Sequence, residues 1–158
     1  MTDSKATSTA EPAVEFPIRI QPNLKPILLL YGVRDDGRAV VRLADGQFTA
    51  RFGRFEARTP LANIERWDIT GPYTSWRAVG VRRTLGTHDL SFGGSAHGGL
   101  WVHFRQPVRA ARLMNSELDV TVDDLEGLGA ALTARGIPGE DLRPRSQAVG
   151  PRVPRNRE

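Results

Sequence analysis

The chain has 158 residues, no cysteine, 39% hydrophobic residues and a formal charge of +4. That length suits one domain with a substantial core and is short for two. Without cysteine there is neither a disulfide framework nor a thiolate metal site.

The charge is unevenly placed. Residues 143–158 carry five arginines and one glutamate, whereas residues 1–142 carry 17 basic and 17 acidic side chains. The net charge therefore belongs to the tail. Within the body, residues 51–112 hold ten arginines against four acids, and residues 117–142 hold one arginine against seven acids. Such segments can neutralise each other inside one fold, so the high isoelectric point does not imply a nucleic-acid surface, and no specific nucleic-acid partner is expected. The longest apolar run, 27–31, falls far short of a membrane span. Residues 1–15 lack the apolar core of a secretory signal, so the expectation is a cytoplasmic protein.

In chain order, residues 1–15 are polar and read as disordered. Phe16, Ile18 and Ile20 alternate as an edge strand or extended arm. A short helix begins near Pro26 and stops at Gly32, with a buried strand as the rival reading. Three short antiparallel strands follow, through Val41 and Leu43, through Phe48, Ala50 and Phe52, and through Phe55, Ala57 and Thr59. Asp45-Gly46 and Gly53-Arg54 turn the chain between them. The next strand starts near Asn63, and Ile64 is out of phase with Trp67 and Ile69, as a bulge would leave it.

Residues 74–86 do not read as strand, and Ser75 is placed to cap a short helix carrying Trp76 and Val79. Leu90 and Phe92 mark a strand, residues 93–99 a glycine-rich hairpin loop, and Leu100, Val102 and Phe104 the core face of another strand that Pro107 ends. Trp101, His103 and Arg105 then face the other way. Beyond an irregular link, Leu118, Val120 and Val122 form a last strand. Leu125, Leu128 and Leu132 recur at helical spacing behind Asp123 or Asp124 as cap, and Gly136-Ile137-Pro138 is a complete stop signal. The arginine- and proline-rich remainder reads as a disordered tail over 138–158, leaving one domain over 16–137.

Seven strands before one amphipathic helix make a mainly β (α+β) protein. The expected architecture is a seven-stranded antiparallel barrel, or two orthogonal sheets, capped at one end by the C-terminal α-helix. Thr59-Pro60-Leu61 with Asn63, Gly71-Pro72-Tyr73, residues 76–82 and residues 119–136 carry a likeness to a known group. Over residues 16–137 the chain resembles an uncharacterised family of actinobacterial proteins with a pleckstrin-homology-like (PH-like) domain. The resemblance implies a PH-like fold and brings no reaction or catalytic residue with it. Arg42, Arg51 and Arg54 lack the close basic spacing with which eukaryotic members of the wider fold hold phosphoinositides.

No catalytic or metal motif stands up to inspection. His88, Asp89, His97 and His103 match no metal-ligand spacing. Ser95 beside His97 lacks the strand-turn-helix setting of a nucleophile elbow, and the glycine loop lacks the Lys-Ser or Lys-Thr of a phosphate loop. We therefore expect no cofactor, no metal and no enzyme activity. Tyr73, Trp76, Arg77, Arg82 and Arg83 fall within 11 residues, and arginine and aromatic side chains anchor protein interfaces. Together with the outward Trp101 they form the candidate partner-binding set. The alternatives are that Trp76 plugs the barrel and that other parts of the chain cover Trp101. The expected function is thus a non-enzymatic PH-like module binding a protein or peptide; the alternative is a small-ligand or lipid-binding barrel. The bulky inward list of Phe48, Phe52, Leu90, Phe92, Leu100, Val102, Phe104 and Val120 favours a filled interior. The basic tail leaves open a peripheral contact with anionic lipid.

Overall fold

The computed structural model describes residues 11–22, 25–30, 32–33, 38–72, 79–83, 88–94 and 97–144. Strand β1 (Val14–Pro17) is followed by the short helix α1 (Lys25–Leu29). Strands β2 (Ala39–Ala44), β3 (Gln47–Phe52) and β4 (Phe55–Pro60) come next, and a single 3₁₀ turn (Leu61–Asn63) leads into β5 (Ile64–Thr70). The chain continues through β6 (Val79–Arg83), β7 (Asp89–Gly94), β8 (Gly99–Ala110) and β9 (Leu113–Val120), and ends in α2 (Leu125–Thr133) and β10 (Gly139–Asp141).

The first sheet is the expected meander, in the order β1-β2-β3-β4. Its alternation is strict: Val41, Leu43, Phe48, Ala50, Phe52 and Ala57 are buried, while Arg42, Arg51, Glu56 and Arg58 point to solvent. Asp45 (φ 50°) and Gly46 (φ 70°) make the tight turn that sets Ala44 opposite Gln47. Helix α1 ends as expected at Gly32 (φ 74°), where the Gly32 N–H bonds to the Leu29 carbonyl and the Val33 N–H to the Leu28 carbonyl.

The second sheet departs from expectation. Its order is β10-β5-β8-β9-β7-β6, with β7 parallel to β9 and β10 parallel to β5. The fold is mostly β in two sheets with a short helix at the C-terminal end, as expected, but the sheet is mixed and the described strands do not close into a barrel. On one side an Ile18–Val122 bridge joins the sheets, with flanking Arg19 N–H to Thr121 O and Asp123 N–H to Pro17 O bonds.

Residues 93–99 are therefore not a hairpin loop. Strand β9 lies between β7 and β8, so the two are not hairpin neighbours. Residues 79–83 form a strand after all; Gly80 interrupts the branched residues that would have signalled it. Strand β8 runs through Pro107, because the β8–β9 register is broken between His103 and Val108, where a ladder donor is not needed. The Asn63 carboxamide replaces the missing strand partner there: its Nδ2 donates to Gln106 O and its Oδ1 accepts from Gln106 N, both at 2.9 Å. The bulge expected at Ile64 is present, as a register shift between Ile64 and Arg66.

The space between the sheets is filled. All eight of the expected inward side chains are buried, and the Phe52 and Phe92 rings stack across the two layers at 5.9 Å. Helix α2 lies over one end of this core. Asp124 is the cap, accepting the Gly127 N–H at 2.8 Å, and Gly136 (φ 80°) with buried Ile137 closes the helix. Trp67 fixes α2 in place. Its Nε1 donates to Ile137 O at 3.2 Å, and its ring lies where a Cβ on Gly129 or Gly139 would sit. Strand β10, beyond residue 137, pairs with β5 beside this indole.

At Gly129 an added methyl would come within 2.8 Å of the Trp67 ring. Alanine gains about 1 kcal/mol in helix propensity over glycine, but overpacking against a rigid ring costs about 1–3 kcal/mol. Gly129→Ala is expected to lower stability by about 1 kcal/mol in urea unfolding; a stabilised variant would mean that the indole does not clamp the helix.

Candidate interaction surfaces

The outer face of the second sheet carries polar side chains in cross-strand rows. One row reads Asp68, Trp101, Asp119 and Ser91, and the next Arg66, His103, Glu117 and Asp89. His103 lies between two carboxylates, with Nε2 2.7 Å from Asp68 Oδ2 and Nδ1 2.9 Å from Glu117 Oε1. Asp68 also accepts from Arg66 Nη1. An ionised carboxylate only accepts, so both ring contacts are hydrogen bonds when both nitrogens carry hydrogen. The imidazole lies between side chains of β5 and β9 and so ties three strands together. Among the described residues no group of three or more His, Asp or Glu side chains is placed to hold a metal ion.

Asp119 is the unusual member. It is buried, its Oδ2 meets the Ser91 hydroxyl only at 3.5 Å, and its Oδ1 has no partner. Burial pushes its pKa up from 3.8 to about 7, against a smaller lowering by Ser91. Gly99 makes room for it, because a Cβ there would fall 1.9 Å from Oδ1.

Trp101 faces away from the core, as the alternation requires; it is half-buried, and its Nε1 donates to Thr70 Oγ1 at 3.1 Å. Arg82 and Arg83 lie in β6, opposite Ser91 and Leu90 in the register. Tyr73, Trp76 and Arg77, with the helix expected at Ser75, lie outside the described residues, as do Ser95 and the tail from residue 145.

A second surface, missed by the sequence reading, lies at the end of the molecule opposite α2. Leu125 of α2 approaches Gly98, at the start of β8. Strand β8 then runs 12 residues, roughly 40 Å, to its turn with β9. There a cleft of about 710 Å³ is lined by Arg54, Phe55, Glu56, Arg109, Ala110, Ala111 and Arg112. The Arg54 guanidinium sits over the Phe55 ring at 5.2 Å. Glu56 is already held by Arg51, at 2.6 and 3.1 Å. Arg54, Arg109 and Arg112 make no ion pair among the described residues.

Exposed large apolar side chains occur on the hairpin and at the end of α1. Leu113 and Met114 are 42% and 49% exposed on the hairpin. Leu29 and Leu30, 57% and 77% exposed, end α1 just before Gly32, whose Cβ position lies 3.6 Å from Arg54 N. The hairpin tip is held from inside. Buried Asn115 donates to the carbonyls of Val108, Ala110 and Leu113, on both strands. Its two turn residues, Ala111 (φ 50°) and Arg112 (φ 65°), are both left-handed without being glycine. No turn signal marks Ala111-Arg112, and the apolar residues come from two distant segments, so only the fold brings this surface together.

Comparison with protein-family models, with curated proteins and with solved structures finds no match to this chain.

Two outcomes are expected. Between about pH 4 and pH 7 the unfolded chain gives up the Asp119 proton while the folded one keeps it, so stability falls as pH rises through that window. The full effect is on the order of 4 kcal/mol, and Asp119→Asn should flatten this part of a stability–pH profile measured by denaturant unfolding; an unchanged profile would place the pH dependence elsewhere. A left-handed backbone costs an L-residue about 1–2 kcal/mol. Arg112→Gly should therefore raise stability by about 1 kcal/mol, and a loss instead would show that the arginine side chain itself holds the turn.

Proposed function

We propose that this chain is a non-enzymatic interaction module of PH-like type that acts in the cytoplasm and binds a protein or peptide partner. The observation that carries this reading is the β8–β9 hairpin end, where three arginines without an ion pair among the described residues and a phenylalanine line one cleft, with exposed Leu113 and Met114 on the same hairpin. Interfaces are rich in arginine, aromatic residues and methionine. Apolar side chains exposed together on a compact body favour a partner over water. The two-layer body with a C-terminal helix over one end supports the PH-like part of the proposal. The filled interior speaks against a ligand held between the sheets. Among the described residues no helix is long and apolar enough to cross a membrane.

A crosslinking pull-down from the source cell tests the proposal with three proteins: the full chain, a chain ending at Pro144, and a Leu113→Ser/Met114→Ser variant. Both substituted positions are exposed, where changes usually move stability by less than about 0.5 kcal/mol. A defined partner should be retained by the first two and reduced about tenfold, a difference of about 1.4 kcal/mol, in the third. Equal capture by all three, or capture lost with the tail alone, would overturn it.

A further inference from the structure

The cleft at the open end has an excess of one sign. Three arginines line or border it, and its one carboxylate, Glu56, is engaged by Arg51. Like charges gathered this closely repel one another, and an acid entering from outside would relieve them. Three of the protein's own exposed acids near α2 are already engaged within the chain. Asp123 is bonded to Arg19, and Glu126 and Asp141 to Arg143.

The surface is also recessed. Phe55, Ala110 and Ala111 lie within the cleft between the Gly53-Arg54 turn and the β8–β9 hairpin. The cleft, about 710 Å³ and open to solvent, has room for side chains of a polypeptide segment. The exposed apolar residues of the hairpin add a second requirement that a purely acidic chain would not meet.

The backbone supplies an independent observation. Tight hairpin turns of this hand are easiest with glycine or asparagine, and the β2–β3 turn uses Asp45-Gly46 in that way. The β8–β9 turn instead places Ala111 and Arg112 in the left-handed region. Strained positions concentrate where a side chain serves a purpose. Here the strain keeps a guanidinium at the cleft.

We propose that the occupant of this cleft is an acidic amphipathic segment of a partner protein, its carboxylates meeting Arg54, Arg109 and Arg112 and its apolar side chains meeting Leu113 and Met114. The proposal rests on the interaction-module reading and gives the partner its chemistry. Binding weakens with salt, because the charges are partly exposed, and keeps a salt-resistant part from the apolar contacts.

The test is selection of random linear displayed peptides on the immobilised full chain, followed by titration of the selected peptides as synthetic copies. Phosphatidylcholine vesicles with and without phosphatidylserine are run beside them. The expected peptides combine Asp or Glu with Leu, Phe or Trp. Their affinity should fall about tenfold or more in Arg109→Gln/Arg112→Gln, and comparably when their acids are replaced by amides. Arg112→Gly serves as the control for folding: it should bind less tightly while melting no lower than the parent. Selected peptides without an acidic excess that still depend on Leu113 and Met114 would overturn the acidic chemistry and leave the module reading standing. Peptides indifferent to both sets of substitutions would overturn the placement. Vesicle binding with no peptide selected would overturn the proposal and the protein-partner reading together.

Discussion

The contact on which most of this structure depends is the seat of the Trp67 indole. It projects from β5 into the space between the layers, touches Gly129 of α2 and Gly139 of β10, and donates to Ile137 O. An indole needs both an apolar enclosure and an acceptor for its N–H when buried. Here one C-terminal segment supplies both, with two glycines allowing its backbone to approach. That seat turns α2 from an amphipathic helix beside a sheet into the lid of the core. It also fixes the direction of the molecule: one end is closed by leucines from α2, and the far end of β8 carries the cleft and its exposed apolar side chains.

The outer face of the mixed sheet follows a different rule. Buried charge is costly unless it is paired. Asp68, His103, Glu117 and Arg66 satisfy one another across three strands, whereas Asp119 is held in a place where its charged form is disfavoured. The cluster fixes register, since a slip of one residue in any of the three strands would send its members to the apolar side. The cost of ionising Asp119 falls on stability at neutral pH.

What was legible in the sequence was local. The Asp124 cap and Gly136 stop of α2, the Asp45-Gly46 turn, the bulge at Ile64 and the alternation that turns Trp101 away from the core are each written within a few residues. What was not legible depends on distant partners. A glycine-rich loop reads the same whether it joins neighbouring strands or steps over one, so the insertion of β9 between β7 and β8 leaves no mark. Pro107 looks like a strand end unless Asn63 is known to take over the ladder bonds of Gln106, its neighbour in the chain. His103 was placed on the correct face, but its carboxylates come from two other strands and need the register. The cleft was the least legible of all. Its arginines come from two turns, one of them built from residues that do not favour turning.

The two ends of the molecule also treat charge differently, and the difference is informative because exposed ion pairs are individually weak. A surface pair contributes about 0–1 kcal/mol, so stability gives little reason to pair the acids near α2 or to leave the arginines at the cleft unpaired. Among the described residues Asp123, Glu126 and Asp141 have arginine partners although Asp124 and Glu140 have none, while Arg54, Arg109 and Arg112 have no ion pair. Exposed leucine and methionine side chains lie on the unpaired side, together with a left-handed arginine that glycine would relieve. Each feature alone is an ordinary surface imperfection. Their coincidence at the end that α2 does not cover is the observation on which the proposed interaction surface rests.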